Sequence, residues 1–133
     1  MSSLSRANEH KSKASAYLNA GHRNLAMEEF KSALALEMSI LGAKDIVVAR
    51  TTLSVSGILQ ANGEYEEALT LLYRVIEVLK EHGDSHALVL LGAAYINAGS
   101  CELSLGKYAE SFASYKEALS CKQRTFGENS IEV

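Results

Sequence analysis

The stretch GHRNLAMEEFKSAL at residues 21–34 contains a glycine that is followed by a small residue, Ala26, and then by a large aromatic residue, Phe30. Glycine favours the left-handed conformation that ends a helix, and the residues after it have the apolar spacing of a new helix. This stretch therefore predicts a turn between two helices, with the second helix approaching a neighbour closely at its small residues.

The same pattern occurs twice more along the chain. GEYEEALTLL begins at Gly63 and GKYAESFASY begins at Gly106, so the period is 42 and then 43 residues. Small and large residues recur at the fifth, ninth, twelfth and thirteenth positions after each glycine. These residues are Ala26, Phe30, Ala33 and Leu34, then Ala68, Leu72, Val75 and Ile76, then Ser111, Tyr115, Ala118 and Leu119. A fixed period of this kind is the signature of a repeat protein.

The composition favours helices throughout the chain. Of its 133 residues 47% are hydrophobic and 22% are charged, which is ordinary for a globular protein, and proline is absent. The predicted helices cover about residues 6–20, 24–41, 46–61, 65–81, 86–104 and 108–125. Because every connection between them is short, neighbouring helices are antiparallel. We therefore predict an all-α fold of three antiparallel helical hairpins that stack as an α-α superhelix, or solenoid.

A turn glycine followed by A-x-x-x-F resembles the motif of the tetratricopeptide repeat family. The motif is intact at Gly21, Ala26 and Phe30, and close variants follow Gly63 and Gly106. The period of about 42 residues is similar to that of the long repeats of the kinesin light chain type. The resemblance implies a single domain over residues 1–133 with repeats at about 6–45, 46–85 and 86–127, and a fourth repeat that starts at 128–133. We expect a natural end at the N-terminus and a longer array in the parent protein.

The resemblance also implies a binding surface. In the family, the first helix of each repeat faces a concave groove in which a peptide or helix of a partner binds. The groove-facing positions correspond to Asn8, Lys11 and Ser15 in the first repeat, to Arg50, Leu53, Gly57 and Gln60 in the second, and to Ala93, Ile96 and Ser100 in the third. Lys11 and Arg50 are suited to carboxylates of a ligand, and Leu53 with Ile96 would form an apolar floor.

Charge and motif content argue against catalysis and against several partner classes. The 13 basic and 16 acidic residues leave a net charge of −3, which does not attract nucleic acid or an anionic membrane. The sequence has no phosphate-binding loop, nucleophile elbow or dinucleotide glycine pattern. His82 and His86 have a spacing that suits zinc, but they flank a predicted turn between repeats. We therefore expect no enzyme activity, no cofactor and no metal.

The cysteines and the N-terminus predict a cytoplasmic protein. Cys101 and Cys121 fall on the apolar sides of helical patterns, where we expect buried thiols in a reducing compartment. The N-terminus lacks the apolar centre of a signal peptide, and no window approaches the uninterrupted apolar length of a membrane span. The expected partner is a protein or peptide, not nucleic acid or a membrane.

Three functions remain open from the sequence. The leading one is a scaffold or adaptor that binds its partner in the groove. The second is self-assembly, that is homo-oligomerisation, through an uncovered C-terminal face, because the last helix carries apolar residues that need cover, namely Phe112, Tyr115, Leu119 and Cys121. The third is a regulatory domain of a larger enzyme.

Overall fold

The described part of the protein, residues 2–127 of a computed structural model, is entirely helical. Within it the helices are α1 (Ser3–Asn19), α2 (Arg23–Leu41), α3 (Ile46–Ala61), α4 (Tyr65–His82), α5 (Ser85–Ser104) and α6 (Tyr108–Gly127), and there is no strand. They pair as α1 with α2, α3 with α4 and α5 with α6, while contacts of α2 with α3 and of α4 with α5 join the pairs. The predicted all-α superhelical fold is confirmed. The predicted start of a fourth repeat at 128–133 lies outside the described residues.

Side-chain caps mark the start of each first helix. Ser2, Asp45 and Asp84 precede α1, α3 and α5, and each side chain accepts a hydrogen bond from a backbone N–H of the first turn at 2.8 to 3.1 Å. Such a cap contributes about 1 kcal/mol to helix stability. Because Ser2 supplies the cap, α1 begins at Ser3, earlier than the start predicted near residue 6.

Three turns of the same type connect the two helices of each hairpin. Gly21, Gly63 and Gly106 have φ of 84°, 80° and 77°, a region in which a Cβ atom is strained. A hydrogen bond of 2.8 Å then spans each turn, from His22 N to Tyr17 O, from Glu64 N to Leu59 O and from Lys107 N to Glu102 O. This is the long bond of a Schellman motif, and its recurrence confirms the turns predicted from the glycines.

Small residues allow α5 and α6 to approach each other closely. A Cβ atom on Gly99 would stand 3.1 Å from the ring of Tyr115, and one on Gly92 would stand 3.4 Å from Cys121 Cβ. Cys101 and Cys121 are free thiols and are buried, as expected from their positions. Burial raises the pKa of both thiols above its usual range, which keeps them protonated and unreactive at neutral pH.

Helix α5 departs from the expectation about apolar length. By length and composition alone it is apolar enough to cross a membrane, so the statement that no window approaches such a span was wrong for this helix. In the fold α5 packs against both α4 and α6, and Ala94, Ala98 and Cys101 are fully covered. These two helices cover part of its apolar surface, whereas Val89, Ile96 and Leu103 remain exposed.

Truncation of Leu69 should cost far more stability than truncation of Leu119, although both leucines lie on a second helix. Leu69 is 3% exposed, and its replacement by alanine leaves a cavity that costs about 2–5 kcal/mol. Leu119 is 56% exposed, so its replacement should cost about 0.5 kcal/mol or less. Urea unfolding followed by circular dichroism measures both free energies of unfolding. Equal losses would mean that Leu69 is not part of the core.

Candidate functional site

The ten residues predicted to face a groove lie on α1, α3 and α5, the first helices of the three hairpins. None of them is buried. Asn8, Ser15, Arg50, Ala93 and Ile96 are exposed, and Lys11, Leu53, Gly57, Gln60 and Ser100 are half-buried. We call this surface the groove face. It is accessible to a ligand over its whole length, and the binding role of its residues stays a prediction.

Two side-chain hydrogen bonds join α3 and α5 across the groove face. Gln60 Nε2 donates to Ser100 Oγ at 2.9 Å, and Arg50 Nη2 lies 2.8 Å from His86 Nε2. Because a guanidinium group can only donate, His86 accepts this bond through the lone pair on Nε2. His86 belongs to the first turn of α5 and not to the turn before it. The bonds hold α3 and α5 side by side as one continuous surface.

Helix α1 contributes to the groove face in a different way. Among the described residues it packs against α2 and against no other helix, so Asn8 and Ser15 stand apart from the surface of α3 and α5. Lys11 Nζ lies 2.7 Å from Glu37 Oε2 on α2, and the side chain of Glu37 is only 1% exposed. The charge of Lys11 is therefore neutralised within its own hairpin.

The pair of Lys11 and Glu37 replaces an apolar pair of the second hairpin. Counted from the hairpin glycines, Lys11 is equivalent to Leu53 and Glu37 is equivalent to Leu79, which is buried. Glu37 Oε1 has no hydrogen-bond partner among the described residues, so this buried carboxylate depends on Lys11 alone. A buried charge whose hydrogen bonds are incomplete lowers the free energy of unfolding. The stability of the first hairpin should therefore be sensitive to loss of either residue of the pair.

A second buried carboxylate, that of Glu102 on α5, has both of its oxygen atoms hydrogen-bonded. Its Oε2 accepts a hydrogen bond from the Tyr73 hydroxyl at 2.5 Å, and its Oε1 accepts one from Ser114 Oγ at 2.6 Å. Burial and then the Glu102 carboxylate raise the pKa of Tyr73 well above its usual range, so the hydroxyl remains a donor. The cluster links α4, α5 and α6 and leaves no carboxylate oxygen exposed for acid–base chemistry.

The histidines proposed and rejected as zinc ligands have other partners. His82 Nε2 donates to the main-chain carbonyl oxygen of Lys44 at 2.8 Å, and His86 accepts from Arg50. Within residues 2–127 no group of three or more His, Cys, Asp or Glu residues is arranged to hold a metal ion. The expected lack of enzyme activity, cofactor and metal stays a prediction.

An exposed apolar stripe runs along α5 beyond the predicted groove residues. Val89, Ile96 and Leu103 are exposed and seven residues apart, and Ala93 and Ser100 lie between them on the same face. Val89 and Leu103 were not among the predicted groove residues. The seven-residue spacing of large apolar residues is the signal that would have identified them.

Comparison with known families agrees with the repeated geometry. A sequence model described as tetratricopeptide repeat matches residues 47–124, which is more than half of the chain. The match begins in α3 and ends in α6, so it covers the second and third hairpins. No curated protein matches the chain.

Replacement of both members of the buried ion pair should be tolerated better than replacement of one. Lys11→Leu leaves the Glu37 carboxylate buried without a partner and should cost about 3 kcal/mol, the low end for such a change, because Lys11 is 26% exposed. The double variant Lys11→Leu with Glu37→Leu reproduces the leucine pair of the second hairpin and should equal or exceed the wild type in stability. Urea unfolding of the wild type, both single variants and the double variant measures the coupling. Purely additive effects would contradict the pairing.

Proposed function

This chain belongs to the tetratricopeptide repeat family, and from that premise we propose that it is a scaffold or adaptor that binds a peptide or helix of another protein. Repeats of this family mediate protein–protein interactions and are typically non-catalytic. The proposed site is the part of the groove face formed by α3 and α5. The observation that carries the proposal is the exposed apolar stripe of α5 beside the exposed Arg50 of α3.

The chemistry of this surface suggests the kind of segment that binds. The stripe from Val89 to Leu103 is about 21 Å long, which is enough for four turns of a helix. Arg50 uses one donor on His86 and has further N–H groups for a carboxylate. At Gly57 a Cβ atom would meet nothing within 4 Å, so the surface is open at that point. We expect a ligand with apolar residues on one face and an acidic residue near Arg50.

The residues of α1 have a smaller part in this proposal. Asn8 and Ser15 lie on α1, which contacts neither α3 nor α5, so we expect them to add only peripheral polar contacts. Lys11 is a rim contact, because its ammonium group is paired with Glu37.

The repeat type and the cellular location are also proposals. The hairpin glycines are 42 and 43 residues apart, which supports long-period repeats like those of the kinesin light chain. Two buried free thiols, Cys101 and Cys121, support a reducing compartment and hence the cytoplasm. No observation on the described residues supports a regulatory role within a larger enzyme.

A bulky side chain at Gly57 should block the groove without harming the fold. Gly57→Leu places a side chain in open space within α3, and removal of a helix-interior glycine should stabilise the protein by up to about 1 kcal/mol. The probe is a fluorescein-labelled helical peptide with leucines at seven-residue spacing and a flanking glutamate. Fluorescence anisotropy should show binding to the wild type and a loss of at least about tenfold in the variant.

The control variant places a leucine side chain outside the groove face. Ala35→Leu changes an exposed position on α2, outside the groove face, and should leave peptide binding unchanged. Arg50→Glu should weaken binding by repulsion of the peptide glutamate. If neither Gly57→Leu nor Arg50→Glu affects binding, the groove face is not the site.

Self-association through the C-terminal face is the second candidate function. Phe112 and Leu119 on α6 are largely exposed apolar residues. If this face drives association, sedimentation velocity should show a concentration-dependent dimer that Leu119→Glu abolishes. Leu25→Glu, which changes an exposed leucine on α2, should retain the dimer. A wild-type monomer at every concentration would remove this candidate and leave the groove proposal intact.

A further inference from the structure

Helix α6 carries apolar side chains whose equivalents in the earlier hairpins are buried. Phe112 is 70% exposed, whereas Met27 and Leu69, at the same distance from their hairpin glycines, are 9% and 3% exposed. Leu119 is also exposed, whereas its equivalents Ile76 and Leu34 are buried and half-buried. The residue types are alike in all three hairpins, so the difference lies in what covers them.

In the first two hairpins, the second helix is covered by the first helix of the next hairpin. Helix α3 packs on α2, and α5 packs on α4. Helix α6 has its own hairpin partner α5, as α4 has α3, but no described helix follows it. A groove with a volume of about 260 Å³ lies between α5 and α6, and its walls include Ile96, Ala118 and Phe126. We call the surface formed by these three residues with Phe112, Leu119 and Lys122 the end face.

Helices α3 and α5 show what kind of helix fits against a preceding hairpin. Among the buried positions that the two helices share, four have exposed equivalents on α1, namely Val48, Thr51, Val55 and Ile58 on α3 and Leu91, Ala94, Ala98 and Cys101 on α5. The spacing is i, i+3, i+7 and i+10 in both helices, and every residue is small or medium-sized and uncharged. The first position adjoins the preceding hairpin, because Leu91 and Leu79 line one cavity.

The first helix of a second copy does not fit this requirement. The equivalent positions on α1 are Arg6, Glu9, Lys13 and Ala16, all of which are exposed. Stacking of α1 on the end face would bury three charged side chains, and each buried charge costs several kcal/mol unless it is paired. Head-to-tail stacking of copies of this chain is therefore disfavoured.

The end face contains one positively charged residue, Lys122. Lys122 lines the groove between α5 and α6 and is equivalent to Leu79 and to the acidic Glu37. Its hairpin neighbour is Ile96, which cannot neutralise it, and no carboxylate of residues 2–127 lies within ion-pair distance of its ammonium group. Because Leu79 adjoins the first position of the covering helix, an acidic residue near that position would meet Lys122.

From these observations we propose that the end face binds a helix of a partner protein. The helix carries small or medium-sized apolar residues at i, i+3, i+7 and i+10 and an acidic residue within one turn of the first of them. It extends the array by one helix, in the place that α5 takes on the second hairpin. This site shares Val89 and Ile96 of α5 with the proposed groove site, but its residues on α6 belong to it alone, and the proposal does not depend on binding at the groove face.

A designed peptide tests the proposal on the full chain. It is helical, with leucine, alanine, alanine and isoleucine at the four positions, a glutamate one turn before them, and polar residues elsewhere. Fluorescence anisotropy should detect its binding, and Phe112→Ser and Leu119→Ser should each weaken it by at least about tenfold. Both side chains are largely exposed, so the variants should keep the circular dichroism spectrum of the wild type. Gly57→Leu should leave this binding unchanged, which separates the result from that of the groove.

A charge exchange tests the role of Lys122. Lys122→Glu should weaken binding of the glutamate peptide, and a peptide with lysine at that position should restore it. A peptide of the same composition with its apolar residues at i, i+2, i+8 and i+10 should not bind, because these positions point to different sides of the helix.

Several results would overturn the proposal. One is no binding of the designed peptide to the wild type, which is also the result expected if residues after Phe126 occupy the face. Another is equal binding to the wild type, Phe112→Ser and Leu119→Ser. A dimer that Leu119→Ser disrupts and that the peptide does not compete with would assign the face to a second copy instead.

Discussion

The packing of each first helix on the second helix of the preceding hairpin is the contact on which the rest of the structure depends. Helix α4 lies between α3 and α5, and its residues Leu72 and Leu79 are almost completely buried. At the position of Leu72, the third hairpin has Tyr115, which remains exposed. Burial in this protein therefore depends on which helices are neighbours, because a hairpin alone cannot cover its own apolar side.

The two buried carboxylates stand where the second hairpin has leucines. Glu37 is equivalent to Leu79, and Glu102 is equivalent to Leu59. Glu102 receives two hydroxyl donors, one from α4 and one from α6, whereas Glu37 receives a single ammonium group from Lys11. An apolar repeat position tolerates a carboxylate when donors accompany it. Equivalent positions of similar hairpins therefore carry apolar contacts in one repeat and polar contacts in another.

The groove face and the end face meet on α5. Val89 and Ile96 lie in the exposed stripe and also line the groove between α5 and α6, so a ligand of either surface contacts them. The two surfaces differ in their other residues. On α3, Arg50 and Gly57 belong only to the groove face. On α6, Phe112 and Lys122 belong only to the end face. Two proposed ligands would therefore compete at Val89 and Ile96 while remaining separable by substitutions elsewhere.

The sequence by itself determined the helices, the turns and the repeat. Glycine at Gly21, Gly63 and Gly106 is a local requirement of backbone conformation, and apolar spacing is a local property of each helix, so both can be read along the chain. The ten groove residues were assigned through the resemblance to the family, and their role in binding stays a prediction. The tertiary structure alone decided that Lys11 binds Glu37 and that Phe112 is exposed. Those outcomes depend on contacts between helices that are distant in sequence, and equivalent positions look alike until their neighbours are known.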